Sequence, residues 1–278
     1  MAFEHPGDGA LDYSPCRYGE SRLLFRGPRK RLEDPCVVCF GGTETYGKFI
    51  PEPFPDLLAQ RFDATVVNMG AVNAGIDVYL GDRTLIDAAR AARVTVIQVM
   101  GAHNLSNRFY TVHPRRNDRF LSASTLMKTI YRDVDFTEFA FTRHLLGALQ
   151  ARSAERFGLV VEELRLSWIA RMKALLERVG TPTVLVWVGA RPPAPAGAPV
   201  APLSDRDPPL VDRGMLDALR PHLTEYVEVV ASPEALAAGT EGMVFTDLEA
   251  PAAAELLGVP VHREVAAQLA PVLSRYLT

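Results

Sequence analysis

Hydroxyl, imidazole and amide side chains stand directly after predicted strands of this chain, together with a glycine. Thr43 follows the first apolar run and Gly70 the second, while His103 and Asn104 follow the third. His262 comes just before the last helical pattern. In an open α/β sheet the ligand site lies beyond the carboxyl ends of the strands, so these five residues are its candidates. A hydroxyl, an imidazole and amide donors are the groups that acyl transfer uses.

The elements that position these residues follow from the apolar pattern. Five short runs rich in β-forming residues predict strands at 36–40, 64–69, 94–100, 183–188 and 226–230. The first four runs are almost continuously apolar, which is typical of parallel strands covered on both faces. Helical periodicity predicts helices at 54–62, 76–92, 135–179 with a break near Gly158, and 263–276. The alternation predicts an α/β fold: a flavodoxin-like three-layer α/β/α sandwich with a five-stranded, mostly parallel sheet.

A single domain is expected to hold this framework. Residues 1–34 are predicted to be irregular, with a basic run at 26–31 that we expect on a solvated face. Residues 35–278 are predicted to form one α/β domain, because no convincing linker divides them. Residues 105–151 are too long for a simple connection and are interpreted as an insertion that overhangs the site. Residues 191–209 contain seven prolines and predict a loop at the carboxyl edge.

The composition excludes several classes of protein. The 278 residues include 30 Lys and Arg against 33 Asp and Glu, a formal net charge of −3, whereas nucleic-acid binders are usually strongly basic. No apolar run approaches the roughly 18 residues of a membrane span, and the N-terminus lacks a signal-peptide pattern. Three cysteines are too few for a disulfide framework, so we expect a reducing, cytoplasmic compartment. Cys36 and Cys39 fall in a predicted strand and are interpreted as buried apolar residues.

Four segments of the chain resemble the blocks of the SGNH, or GDSL-like, hydrolases. Phe40–Gly47 reads FGGTETYG and resembles the first block, FGDSLTYG, with Thr43 at the serine position. Gly70 fits the second block, and residues 101–104 fit the third, Gly-x-Asn-Asp. His262 fits the fourth, Asp-x-x-His, where valine replaces the aspartate. The chain is thus similar to a divergent bacterial branch of this superfamily that has Thr in place of the nucleophilic Ser.

The resemblance implies a hydrolase that acts on an ester, such as an acetylated carbohydrate, by a Thr/His acyl-transfer mechanism. It assigns Thr43 as the nucleophile and His262 as the base. It places Gly70, Asn104 and His103 in the oxyanion hole. The substrate contacts implied by their position are Glu44, Tyr46, Asn73 and Arg108. Since Val259 stands at the acid position, this block supplies no carboxylate to orient the histidine. A carboxylate from elsewhere could do so, for instance Asp247 or Glu255.

Other interpretations stay open beside the esterase. A degenerate member of the fold would bind a ligand without turning it over, and a sugar-modifying transferase would use the same fold. Thr43 could simply cap the helix that follows it, and His103 could be a structural histidine. A P-loop and a dinucleotide-binding fingerprint are both absent from the sequence. The histidines lack ligand spacing, so we expect no metal and no cofactor.

The predicted partner is a small-molecule or glycan ester. We expect the protein neither to bind nucleic acid nor to contain a membrane span. The sequence gives no indication of the oligomeric state.

Overall fold

The computed structural model describes residues 9–32, 37–203 and 206–277. Seven strands occur in them: β1 (Val37–Phe40), β2 (Val66–Asn68), β3 (Val94–Gln98), β4 (Tyr110–His113), β5 (Arg116–Ala123), β6 (Thr183–Gly189) and β7 (Glu225–Val230). Five of them form one sheet in the order β2-β1-β3-β6-β7, and every neighbouring pair is parallel. This is the strand order of flavodoxin-like folds, so the predicted fold class is confirmed.

Eleven α-helices occur in the described residues: α1 (Thr43–Tyr46), α2 (Phe54–Phe62), α3 (Ile76–Leu80), α4 (Arg83–Ala91), α5 (Thr125–Ile130), α6 (Thr142–Arg152), α7 (Ala154–Val179), α8 (Arg213–Asp217), α9 (Pro233–Ala237), α10 (Ala250–Ala254) and α11 (Val259–Leu277). Three 3₁₀ helices lie at Phe136–Glu138, Arg220–His222 and Asp247–Glu249. Among these helices none has both the length and the apolar character that crossing a membrane requires.

The sheet is covered on both faces, which explains its apolar strands. Alternate residues of β1 point to opposite sides, so Val38 and Phe40 join one core and Val37 and Cys39 the other. The first core lies against α3, α4 and α7, and the second against α2 and α11. Cys39 is fully buried, and burial strongly raises the pKa of its thiol, as the apolar interpretation expects. Cys36 lies outside the described residues.

Two helix predictions were wrong: one missed a break between two helices, and the other put a break at the wrong residue. The predicted helix at 76–92 is two helices, because Gly81 ends α3 and the Asp82 side chain caps α4 by accepting from the Thr84 amide at 3.0 Å. The predicted break near Gly158 is also wrong, since α7 runs through it. The break lies instead at Ser153, whose hydroxyl accepts from the Arg156 amide. A capping side chain marks each true boundary.

The segments outside the strand–helix repeat also pack on the core. Residues 9–32 contain neither helix nor strand, only an isolated bridge between Cys16 and Phe25. Arg26 was expected on a solvated face, but it is buried, and its guanidinium donates to the carbonyls of Gly47, Ile50 and Pro51. Three inward-facing carbonyls explain why this cation is buried. Residues 105–151 contain the antiparallel β4–β5 hairpin, α5 and α6.

Candidate functional site

A cavity of about 230 Å³ lies at the carboxyl edge of the sheet, beyond β1 and β3. After β1 the chain adds β2 on one side of it and then β3, β6 and β7 on the other, so the order of strands reverses between β1 and β3. Such a reversal is the switch point at which sheets of this kind bind ligands. The cavity walls come from the turn after β1, the loops after β2 and β3, the proline-rich loop and α10. Its polar lining consists of Thr43, Glu44, Lys48, Asn73, Gln98, His103, Asn104, Asp207 and Glu255.

Thr43 begins α1 and faces this cavity. Its hydroxyl lies 3.2 Å from Asn73 Oδ1 and accepts a hydrogen bond from the Asn73 amide at 3.1 Å. The two bonds use the hydroxyl once as donor and once as acceptor. The sequence left open that Thr43 simply caps the following helix. The N-cap of α1 is instead Gly42, which has no side chain, so Thr43 is not the capping residue.

Asn104 is held beside Thr43 through the same asparagine. Its Nδ2 donates to the Asn73 carbonyl at 3.0 Å, and its Oδ1 accepts from the Thr142 hydroxyl at 2.6 Å. These bonds fix which end of the amide is the donor. Because the amide nitrogen carries a second N–H, Asn104 can also donate into the cavity that it lines.

His103 lines the same cavity and has a buried ring nitrogen, Nδ1, without a hydrogen-bond partner among the described residues. Burial, and secondarily the Arg143 cation, lowers the pKa of His103 to about 4. The ring is therefore neutral near pH 7. A buried nitrogen without a partner is uncommon in a folded protein and marks the ring as a group to be satisfied by something else.

His262 occupies a different environment. It lies in the first turn of α11, is 3% exposed and stacks on the ring of Phe54. Its Nδ1 accepts a hydrogen bond from the Phe54 amide at 3.2 Å. Burial, with a smaller contribution from the Arg26 cation, lowers the pKa of His262 to about 3. His262 is not among the described residues that line the cavity, so the structure does not bring it to Thr43 there.

Gly70 packs against the backbone of α1. Its amide donates to Asn68 Oδ1 at 2.9 Å and so is already paired. A Cβ at this position would lie 2.4 Å from the Tyr46 nitrogen, which shows that the loop after β2 touches the backbone of α1. Only glycine allows this approach. Gly70 is likewise not among the described lining residues.

The four predicted substrate contacts divide into two pairs. Glu44 and Asn73 line the cavity. Tyr46 does not, and its ring instead packs against Tyr13 with 5.2 Å between centroids. Arg108 also lies elsewhere, because its Nε donates to Glu163 at 2.6 Å. Of the two carboxylates considered for orienting the base, Glu255 lines the cavity and Asp247 does not.

Sequence reasoning missed Gln98, Lys48 and Asp207 in the lining. Gln98 is the last residue of β3 and is 3% exposed. A polar residue inside an otherwise apolar strand was the available signal, because a buried amide requires partners. Asp207 accepts two hydrogen bonds from the Arg191 guanidinium, at 2.9 and 2.8 Å. The described residues contain no cluster of three His, Cys, Asp or Glu able to hold a metal ion.

The chain matches one family model, described as Domain of unknown function (DUF6473), over residues 1–277. No curated protein matches it. Similar solved structures include a proposed SGNH hydrolase from Slackia heliotrinireducens, with TM-score 0.38 and 14% identity over 85% of this chain and 97% of the other. The lipase Lip_vut3 from a goat rumen metagenome gives TM-score 0.44 and 10% identity over 84% and 95% of the two chains.

Proposed function

We propose that this chain, which belongs to the DUF6473 family, is an ester hydrolase whose substrate binds in the edge cavity. The observation that carries the proposal is the hydrogen-bonded chain from Thr43 to Asn73 to Asn104. It holds a hydroxyl and an amide donor in one cavity. These are a nucleophile and an oxyanion donor, the two groups that attack on an ester carbonyl requires.

In the proposed reaction Thr43 Oγ1 attacks the carbonyl carbon, and its proton passes to His103. The ester C–O bond breaks, the alcohol leaves with that proton, and the acyl group remains on Thr43. Water then adds to the acyl carbonyl and gives its proton to His103. The carboxylic acid departs as Thr43 recovers its hydroxyl. Asn104 donates to the carbonyl oxygen in both steps.

We propose His103 as the base in place of His262. In neutral His262 the Phe54 amide occupies the Nδ1 lone pair, so the ring proton sits on Nε2 and no ring nitrogen can accept another proton. His103 lines the cavity and its Nδ1 has no partner in the described part of the chain. A base whose pKa is about 4 is weak, so proton transfer contributes less here than at a base tuned near pH 7.

A small polar ester fits this cavity best. The volume of about 230 Å³ suits a short acyl group more than a long chain. Glu44 and Glu255 line it and can accept hydrogen bonds from hydroxyl groups. An acetylated carbohydrate meets both conditions. If a sugar hydroxyl replaced water in the second step, the same site would act as an acyltransferase.

A second candidate is ligand binding without turnover. It is favoured by one observation: the Thr43 hydroxyl bonds to an amide oxygen, Asn73 Oδ1, which is not a base. Threonine is also β-branched, so its hydroxyl has few rotamers in which to reorient toward His103.

Turnover of 4-nitrophenyl acetate and of a per-acetylated monosaccharide tests the proposal. We expect Thr43→Ala to lower kcat/KM by about a thousandfold or more, and His103→Ala, which removes a weak base, to lower it by about a hundredfold. Thr43→Ser should retain or raise turnover, because a less hindered hydroxyl reaches the same carbonyl. Thr129→Ala, which removes an exposed hydroxyl on α5, is the matched control and should change nothing. Wild-type and Thr43→Ser proteins that both lack turnover of either ester would favour the binding protein.

A further inference from the structure

Gln98 makes four hydrogen bonds with a single buried amide. Its Oε1 accepts from the Gly42 amide at 3.0 Å, from the Thr45 amide at 3.2 Å and from the Thr45 hydroxyl at 2.7 Å. Its Nε2 donates to Glu44 Oε2 at 2.7 Å. Since the two backbone amides can only donate, the atom that faces them must be the oxygen, and the NH₂ group must face the carboxylate.

The bonds from Gln98 bracket Thr43 in the sequence. Gly42 and Thr45 lie on either side of it, and Glu44 follows it directly. Helix α1 has only four residues and cannot hold its own shape, because short helices in water are unstable without outside contacts. Gln98 supplies such contacts from β3, whose residues at this register pair with β1 and β6 in the middle of the sheet. The turn that carries the proposed nucleophile is therefore tied to the central strand of the five-stranded sheet.

We infer that Gln98 is the positioning residue of this site, which sets the place of the Thr43 hydroxyl and of the Glu44 carboxylate in the cavity. The inference rests on the proposed function in so far as it concerns turnover. An apolar residue of the same size would leave two amides and a hydroxyl without their acceptor and would remove one hydrogen bond from the Glu44 carboxylate. Misplacing a reacting group by about 1 Å can cost about a hundredfold in rate, even when the changed residue does not touch the substrate.

Two substitutions at Gln98 separate positioning from stability. Gln98→Leu removes all four bonds. With 4-nitrophenyl acetate, which has no hydroxyl for Glu44 to bind, we expect kcat to fall by about ten- to a hundredfold while KM changes less than about threefold. Gln98→Glu keeps an acceptor oxygen but sets a second carboxylate beside Glu44, and like charges raise the pKa of one of the two. Once protonated, the new carboxyl can accept from the turn and donate to Glu44 as the glutamine does. Its turnover relative to wild type should therefore rise as the pH falls from about 8 to about 5.

Thr95→Val is the matched control, because Thr95 is a buried polar residue at the other end of β3, paired with Thr181. It should lower stability and leave kcat unchanged. A Gln98→Glu protein whose turnover relative to wild type does not depend on pH would overturn the positioning role. So would a Gln98→Leu protein with wild-type kcat.

Amide hydrogen exchange tests the structural part of the inference without any substrate. In Gln98→Leu the Gly42 and Thr45 amides should exchange at least about tenfold faster than in wild type, while strand amides of β6 keep their protection. If wild type hydrolyses no ester but this acceleration is found, the proposed function fails and the positioning of the turn stands. Unchanged exchange at both amides would overturn the inference whatever the activity.

Discussion

Thr43 and Asn73 exchange two hydrogen bonds, one between Oγ1 and Oδ1 at 3.2 Å and one from the Asn73 amide to Oγ1 at 3.1 Å. Thr43 follows β1 and Asn73 follows β2, so the pair joins the loops of two neighbouring strands. Asn73 reaches this position with a φ of 56°, in the left-handed region that asparagine tolerates better than most residues. The position of the Thr43 hydroxyl therefore depends on the backbone conformation of the loop after β2, and the hydroxyl in turn holds that loop.

Replacing Asn73 separates its side chain from its backbone. Asn73→Gly and Asn73→Ala both lose the Oδ1 that accepts from the Thr43 hydroxyl, but only alanine is strained at a φ of 56°. We expect the free energy of unfolding to fall by about 1 kcal/mol more in Asn73→Ala than in Asn73→Gly. Urea denaturation of the two variants measures this difference. Equal losses would show that the loop does not hold a left-handed residue.

Gly70 should tolerate no side chain. In Gly70→Ala the new Cβ would lie 2.4 Å from the Tyr46 nitrogen and 2.7 Å from the Thr45 carbonyl carbon, so the backbone of α1 must move. We expect a loss of about 1–3 kcal/mol in thermal or urea unfolding, together with weaker ligand binding. Gly158→Ala is the control. Gly158 lies inside α7 with nothing within 4 Å of its missing Cβ, so alanine should stabilise the protein by about 0.5–1 kcal/mol.

The sheet was predictable because its strands are buried on both faces. Four apolar runs with β-forming residues correspond to β1, β2, β3 and β6 within two residues at each end described. Helix boundaries were harder, because they depend on single capping groups. Asp82 and Ser153 form caps with one side-chain bond each, whereas Gly158 was overweighted as a helix breaker although α7 buries enough apolar surface to include it.

The candidate site was predictable as a place but only partly as a set of side chains. Thr43, Asn73, His103 and Asn104 meet in one cavity because each follows a strand that ends at the same edge. The sequence could not show which way the His262 imidazole ring points in the folded protein. The bond from Phe54 to His262 joins residues 208 positions apart, and the ion pair of Arg108 with Glu163 likewise forms only in the folded chain.

Buried His262 should make the protein less stable in mild acid. Its pKa is about 3 when folded and near 6.5 when unfolded, so below about pH 6.5 the unfolded chain binds the extra proton more readily. The contribution of neutral His262 to the free energy of unfolding is complete above pH 6.5. It is lost progressively as the pH falls toward the pKa of the folded state, by up to about 1.4 kcal/mol per pH unit. Urea denaturation between pH 7 and pH 5 should show this slope, to which His103 contributes in the same direction.

His262→Asn offers a direct check of that slope. Asparagine can accept from the Phe54 amide through Oδ1 but does not titrate, so the loss of stability between pH 6.5 and pH 5 should be reduced. His222→Asn changes an exposed histidine and should leave the slope as in wild type. If both variants keep the wild-type slope, protonation of His262 does not limit stability in acid.

Thr142 should connect the 105–151 insertion to turnover. Its hydroxyl donates to Asn104 Oδ1 at 2.6 Å, which keeps the amide nitrogen turned toward the Asn73 carbonyl. Thr142→Val has the same shape but no donor, so the buried oxygen loses its partner and the amide can rotate. We expect kcat on 4-nitrophenyl acetate to fall by about tenfold, because a donor to the oxyanion is misplaced, and stability to fall by about 1–3 kcal/mol. Thr142→Ser keeps the hydroxyl and should restore most of the rate. If the valine and serine variants turn over the ester equally fast, Asn104 does not stabilise the oxyanion, and the insertion supports only the fold.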